Sequence, residues 1–250
     1  MKRTVLYLLF ALLLIGCRNQ PQMLSELKSE YVTIDDSIRV HYKLWIATPH
    51  SQGENESADS EAKTICFVHG FGCDMNTWEK QFEAFRDDKD LQLVFIDLPG
   101  YGQSDKPHVE YTLDFFAHAF DGPECRDVIT GFVSSLAGKG TPQEINDYAM
   151  SVMPETPQYV ASSTMQHLIE KRWWNNRQIT QPVMVICTQN SGLDPDNKQK
   201  MQRLYPHLDY MELTTCGHFI HMEQPEMFNE KLKAFINRTY CYFQKPSESI

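Results

Sequence analysis

Two short apolar runs joined by a helical pattern constrain the fold of this chain most strongly. Thr64–Val68 and Leu91–Ile96 are mainly apolar, which is typical of strands in a parallel sheet that is covered on both faces. Between them, Asn76–Arg86 carries its aromatic residues at helical spacing, which predicts that Trp78, Phe82 and Phe85 share one side of a helix. A strand, a helix and a second strand in this order indicate an α/β domain.

The remaining elements extend this pattern on both sides. Tyr31–Ile34 and Ile38–Ile46 are β-rich runs around the turn signal Asp35-Asp36-Ser37, which predicts a hairpin. Residues 122–178 contain helical segments and no convincing apolar strand, so we expect a helical cap there. Two strands and a helix are then predicted, at Pro182–Cys187, Tyr210–Thr214 and Glu226–Ile236.

The first 17 residues predict a targeting signal. Lys2 and Arg3 precede Val5–Ile15, an apolar stretch that is too short to span a bilayer as an ordinary helix. Leu14-Ile15-Gly16-Cys17 resembles the bacterial lipoprotein box, which implies that Cys17 is lipidated and that the mature protein is anchored to the cell envelope outside the cytoplasm. The alternative is an ordinary signal peptide or anchor in which Cys17 is incidental. We expect a polar leader at 18–30 and one domain at 31–250.

Composition excludes some classes of function. The net charge of −10 argues against a nucleic-acid partner, because such proteins cluster lysine and arginine. No C-x-x-C pair is present, so neither a metal site nor a cofactor is predicted. An even number of cysteines follows Cys17, which permits disulfides in an oxidising compartment. Cys66 and Cys187 lie inside strand runs, and we expect both to be buried free thiols.

The residues after the first two parallel strands resemble the α/β-hydrolase superfamily. The order of apolar strand, His69-Gly70-Phe71, helix, apolar strand and Asp97-Leu98-Pro99-Gly100-x-Gly102-x-Ser104 is similar to the N-terminal half of serine esterases and lipases with a cap. The resemblance implies that the loop at Gly70 and Phe71 aims backbone N–H groups at an oxyanion. The alternative is a tight turn with no chemistry. The segment that ends at Ser104 is expected to be architectural, and Ser104 is not expected to be a nucleophile.

A histidine near the C-terminus resembles the catalytic histidine of the same superfamily. Gly217-His218-Phe219 precedes Glu223-Gln224-Pro225-Glu226 and a helix, which implies that His218 is the general base and then the general acid. The orienting acid is expected in the loop after Pro182–Cys187, where Asp196 is preferred and Asp194 is close behind. Either aspartate could instead only cap the next helix.

The nucleophile elbow of the superfamily, G-x-S-x-G, is missing from the sequence. The helical pattern at Tyr111–Phe120 runs directly into Asp121-Gly122 and the cap, so two βα units, about 50 residues, are absent. The predicted fold is therefore an α/β-hydrolase-like, mostly parallel sheet with a helical cap, internally truncated at its centre. Cys73 and Cys216 lie near the expected site, but nothing places either at an elbow.

Three hypotheses about function follow. The leading one is a hydrolase-family protein whose ancestor cleaved small apolar carboxylic esters with a Ser–His–Asp triad, and which is impaired here. The second is a non-catalytic lipoprotein of the cell surface that binds a small apolar ligand in the remnant pocket. The third is that the deletion lies in the gene or its model, and that the product folds poorly. In each case the expected membrane contact is the lipid anchor.

Overall fold

The computed structural model describes residues 23–34, 37–47, 63–108, 125–136, 140–168, 177–188 and 196–243. The predicted targeting signal with Cys17 and the predicted helix at Tyr111–Phe120 lie outside these residues. None of the described helices is long and apolar enough to cross a membrane.

The predicted hairpin is present. Strand β1 (Glu30–Ile34) pairs antiparallel with β2 (Ile38–Ile46), and Ile34 lies opposite Ile38 next to the turn. His41 and Lys43 lie on one face of β2 and are both buried, and a short N-terminal segment packs against Lys43; Val40 is buried on the opposite face. In that segment Leu24 is fully buried, and its carbonyl accepts a hydrogen bond from Nζ of Lys43.

The predicted strand–helix–strand unit is also confirmed. Strand β3 (Lys63–Val68) pairs parallel with β4 (Leu91–Ile96), as expected for two strands joined by a crossover helix. The connection contains a 3₁₀ turn at Met75–Trp78 and then helix α1 (Glu79–Phe85). Strand β4 also pairs antiparallel with β2, so the first sheet has the strand order β1-β2-β4-β3.

One face of this sheet packs against α1 and forms the larger apolar core. Alternate residues of β4 are buried, as the period of two in a strand requires when one face meets a helix. Phe95 of β4 stacks on Phe67 of β3 with ring centroids 4.8 Å apart, and Phe82 of α1 meets Phe95 edge-on at 5.9 Å. Phe82 and Phe85, predicted to share one side of the helix, are both buried in this core, while Trp78 lies in the 3₁₀ turn before α1 and packs on the same cluster.

The segment between the two sheets is helical where it is described. Helices α2 (Cys125–Leu136), α3 (Gln143–Val152) and α4 (Gln158–Leu168) form the predicted cap, with a 3₁₀ turn at Met153–Glu155. Their inner sides bury Ile129, Val133, Ile145, Ala149 and Met153 in one cluster. Hydrogen bonds also hold the cap to the core: the hydroxyl of Tyr148 donates to Asp74 Oδ1 at 2.8 Å, and the Tyr101 and Thr164 hydroxyls lie 2.7 Å apart.

A second, smaller sheet follows the cap. Strand β5 (Val183–Thr188) pairs parallel with β6 (Leu208–Leu213), and helix α5 (Asn197–Leu204) connects them. A single turn, α6 (Ile220–Glu223), then leads into the long helix α7 (Pro225–Phe243). Both predicted strands and the helix are confirmed, with ends displaced by one or two residues at the strands and an α7 that continues beyond Ile236.

The parallel strands are split between two sheets. In the described part of the chain β3 pairs only with β4, and β5 only with β6. This division agrees with a truncated fold that lacks two central βα units, since such strands would lie between β3 and β5. The face of β3 that carries Cys66 and Val68 is consequently open, and Val68 is 46% exposed. The prediction that Cys66 is buried is wrong, because Cys66 lies on this open face. Cys187 is only half-buried, and both are free thiols as expected.

Candidate active site

The loop after β3 is tightly folded around Gly70. The N–H of Cys73 donates to the carbonyl of Gly70 at 3.3 Å, and Nδ1 of His69 contacts the same carbonyl at 2.8 Å. Nε2 of His69 accepts the N–H of Leu98 at 3.0 Å, so the proton of this imidazole is on Nδ1. The buried His69 thereby connects this loop, residues 69–73 and called the oxyanion-type loop below, to the loop that follows β4.

Gly72 brings the cap against the same loop. Its φ of +72° is a left-handed conformation that favours glycine. A Cβ atom at Gly72 would lie 3.0 Å from the side chain of Met153. The 3₁₀ turn of the cap therefore packs directly on the backbone next to Phe71.

The loop after β4 is built around the buried carboxylate of Asp97. One oxygen accepts the N–H of Met75 at 2.8 Å, and the other accepts the N–H of Gln103 at 2.9 Å and Nδ1–H of His41 at 2.7 Å. The hydroxyl of Ser104 donates to the carbonyl of Asp97 and accepts the N–H of His41. Ser104 is thus a buried structural residue of this loop, in agreement with the architectural interpretation.

The loop after β6 that contains Gly217, His218 and Phe219, called the histidine loop below, is held by hydrogen bonds to Glu223. Oε2 of Glu223 accepts the N–H of Gly217 at 2.7 Å, and Oε1 accepts the N–H of Phe219 at 3.2 Å. Between them, the N–H of His218 donates to the carbonyl of Leu136, at the end of cap helix α2. Burial lowers the pKa of His218 below its ordinary value, and the Glu223 carboxylate offsets part of this effect by raising it.

The two loops lie under the same part of the cap. Cys73 from the first loop and Phe219 from the histidine loop belong to one buried cluster, together with the inner side chains of the cap. Phe71 packs on this cluster and meets Phe132 of α2 edge-on, with ring centroids 6.2 Å apart. The loop that contains Gly70 and Phe71 and the loop that contains His218 therefore contribute to one cluster beneath the cap.

A second histidine of the site region was not found from the sequence. Nε2 of His221 lies 2.7 Å from the hydroxyl of Thr77, and burial lowers the pKa of His221 to about 4. Gln81 of α1 donates to the carbonyl of His221 and to Oδ1 of Asn229, both at 3.0 Å. These contacts join α1 to the helices after the histidine.

The two aspartates expected to orient His218 lie in the sequence at, or just before, the start of α5. Asp196 is exposed at the N-cap position of α5, where its side chain makes no capping hydrogen bond. Asp194 lies outside the described residues. The carboxylate that the structure does place at the histidine loop is that of Glu223, a role that the sequence analysis did not assign.

Neither described cysteine near the loops is a ready nucleophile. Burial raises the pKa of Cys73 to about 12, and it also raises the pKa of Cys216. The thiolate is the reactive form, so neither side chain is activated at neutral pH. Within the described ranges, no group of histidine, cysteine, aspartate and glutamate side chains could hold a metal ion.

Known families and structures resemble this chain at the level of fold. A family model described as the alpha/beta hydrolase fold matches residues 63–126, which include the oxyanion-type loop, α1 and the Asp97 loop. No curated protein sequence matches the chain.

Solved structures match over most of the chain, with low sequence identity. An enol-lactonase from Burkholderia xenovorans LB400 is 14% identical with a TM-score of 0.65, and the match covers 83% of this chain and 100% of that protein. An esterase from Exiguobacterium antarcticum is 11% identical, with a TM-score of 0.66 and coverage of 84% and 100%. Est816, an N-acyl homoserine lactone degrading enzyme, is 17% identical, with a TM-score of 0.62 and coverage of 82% and 100%.

Proposed function

The chain has an α/β-hydrolase fold, and we propose that it is a relative of the carboxylic-ester hydrolases that has lost serine-dependent turnover. The observation that carries this proposal is the missing G-x-S-x-G elbow, in a chain whose parallel strands are divided between two sheets. In serine hydrolysis the hydroxyl attacks the ester carbonyl and forms the acyl-enzyme. Without the serine hydroxyl no acyl-enzyme forms, so the oxyanion-type loop and His218 have no covalent intermediate to act on.

The surviving parts support an ester-cleaving ancestor. A glycine-rich loop with free backbone N–H groups can stabilise negative charge that develops on a carbonyl oxygen, and we assign this role to the loop at Gly70 and Phe71. His218 supplies the imidazole that would take the proton of a nucleophile, with Asp196 or Asp194 as the expected orienting acid. We infer that these groups are a remnant triad site whose serine is gone.

Ester turnover tests this proposal directly. Purified protein and the His218→Ala variant are assayed with p-nitrophenyl butyrate, and both are treated with a fluorophosphonate probe that labels activated serines. We expect equal background hydrolysis and no labelling of either protein, because no residue forms the acyl-enzyme. Turnover by the wild-type chain that the His218→Ala substitution abolishes would show that the site is active.

Binding without turnover is a second candidate function. It is favoured by the half-buried apolar side chains around the buried cluster, namely Phe71, Phe132, Leu136 and Met222. A small apolar ester would have to occupy space close to Met153, which packs on Gly72. Calorimetric titration with p-nitrophenyl butyrate should then show saturable binding with no p-nitrophenol released. Binding that is unchanged in a Phe71→Ala variant would place the ligand elsewhere.

We also propose that Cys17 is lipidated and anchors the protein in a bacterial cell envelope, outside the cytoplasm. The support is the Leu14-Ile15-Gly16-Cys17 sequence at the end of the apolar stretch. Expression in a bacterial host with labelled palmitate should label the protein and place it in the detergent phase. A Cys17→Ser variant should lose the label, and equal labelling of both would exclude this site.

A further inference from the structure

Three successive backbone N–H groups in the histidine loop have partners from outside that loop. The carboxylate of Glu223 accepts those of Gly217 and Phe219, and the carbonyl of Leu136 accepts that of His218. Glu223 itself lies at the end of the single-turn helix α6, and its own N–H donates back to the carbonyl of Phe219 at 2.8 Å. The Glu223 side chain therefore hydrogen-bonds to the backbone of the residues before and after His218.

This arrangement limits the conformations available to His218. The direction of the Cα–Cβ bond of His218 follows from the backbone on both sides of its Cα, and the rotamers of the imidazole depend on the φ and ψ of the same residue. The peptide groups next to that Cα carry the N–H of His218, which the Leu136 carbonyl accepts, and the N–H of Phe219, which Glu223 accepts. The second oxygen of Glu223 holds the backbone one residue earlier, at Gly217. Both oxygens of Glu223 are therefore engaged, and charge-assisted hydrogen bonds to a carboxylate are stronger than neutral ones.

The same carboxylate also affects the charge of the imidazole. Glu223 favours the protonated form of His218, while burial disfavours it, and the net effect is a lowered pKa. His221, on the same turn as Glu223, is another titratable group that interacts with His218 electrostatically. From the cap the contact is a neutral carbonyl, that of Leu136. Glu223 is the described negative charge that acts on this ring.

We propose that Glu223 is the positioning residue of His218, which orients the imidazole through the backbone on both sides of it and stabilises its cation. Orientation and stabilisation of the cation are the two duties of the third member of a catalytic triad. In the described part of the chain, Glu223 does this through the backbone and through its charge, and not through a hydrogen bond to the imidazole ring. The inference rests on the proposed role of His218 as the histidine of the site.

An NMR titration of the full-length chain tests this role without any need for turnover. The pKa of His218 is measured in wild-type protein, in Glu223→Gln and in Glu226→Gln, with His218→Ala to assign the signal. Glu226 is the matched control, because it is an exposed glutamate at the start of α7. We expect Glu223→Gln to lower the pKa of His218 and to shift the amide proton signals of Gly217 and Phe219, and Glu226→Gln to do neither.

A folded Glu223→Gln variant with the same His218 pKa and the same two amide shifts as Glu226→Gln would overturn the proposal. If Glu223→Gln does not fold, the wild-type chain still provides the test. On acidification the amide signals of Gly217 and Phe219 must follow the titration of the Glu223 side-chain carboxyl carbon, and independent behaviour would overturn the proposal. Because no step uses an ester, this result is separate from the outcome of the ester assay.

Discussion

Strands β4 and β5 have similar sequences and very different surroundings. Each is a short, mainly apolar run of six residues. Strand β4 has a neighbour on both sides and buries every second residue against α1. Strand β5 pairs only with β6 in the described part of the chain, and Thr188 at its end is its one buried residue.

The difference shows that apolar sequence alone does not make a core. Burial requires neighbours on the faces and edges of a strand, and the segment that would lie beside β5 is the one that the chain lacks. The oxyanion-type loop is therefore supported by a full core, whereas the histidine loop is supported by α1, α6 and α7 and by the Glu223 carboxylate. We expect the two halves of the candidate site to differ in stability.

The largest expected effect comes from the buried carboxylate of the first half. Asp97→Ala should lower the free energy of unfolding by about 3–5 kcal/mol, because it leaves the buried N–H of Met75, the buried His41 and the part-buried N–H of Gln103 without their acceptor. Asp209→Ala in β6 is the matched control, since Asp209 forms an exposed ion pair with Arg238 and such pairs contribute about 0–1 kcal/mol. Urea unfolding followed by circular dichroism measures both, and equal losses would contradict the comparison.

A smaller difference is expected between two leucines. Leu93 of β4 is fully buried, so Leu93→Ala should cost about 2–5 kcal/mol through lost burial and the cavity that remains. Leu213 of β6 is half-buried, and the same change there should cost about 1 kcal/mol, because less apolar surface returns to water. The same urea experiment measures both. A cost at Leu213 that matches the cost at Leu93 would contradict the expected difference between the two sheets.

Much of the fold could be predicted because the strand signals are local. The runs at Thr64–Val68 and Leu91–Ile96 define β3 and β4 to within one residue, and the missing centre of the sheet is visible as two sheets. The exposure of Cys66 could not be predicted from its own segment. It depends on which strands and helices lie beside β3, and those belong to the rest of the chain.

The candidate site was predicted in part. Both loops were identified from their glycine and histidine residues, and they contribute to one cluster beneath the cap. The roles of Phe71, His218 and the two aspartates stay predictions. The contact between Thr77 and His221 could not be read from the sequence, since it joins residues 144 positions apart. The two hydrogen bonds that Glu223 accepts depend on the turn of α6, which brings the carboxylate back to backbone N–H groups four and six residues earlier.

The smallest effect that we predict concerns the link between the two halves, and it depends on pH. The pKa of His221 is lowered to about 4 by burial, whereas an exposed histidine titrates near 6.5. Between these values the unfolded chain binds the proton and the folded chain does not, so stability should be complete above about pH 6.5 and fall progressively towards pH 4. The loss attributable to His221 should be about 1–3 kcal/mol, since each pKa unit corresponds to about 1.4 kcal/mol.

Urea unfolding at several pH values measures this slope in wild-type protein, in His221→Gln and in His108→Gln. Glutamine at position 221 can still hydrogen-bond to Thr77 but does not titrate in this range, so the dependence on pH between 4 and 6.5 should become shallower. His108 is an exposed histidine that stacks on Tyr159, and its replacement controls for the loss of an imidazole as such. If His221→Gln and His108→Gln change the dependence of stability on pH equally, His221 is not the pH-sensitive contact between α1 and the histidine loop. The contacts of Gln81 and Glu223 would then be the ones that hold that loop.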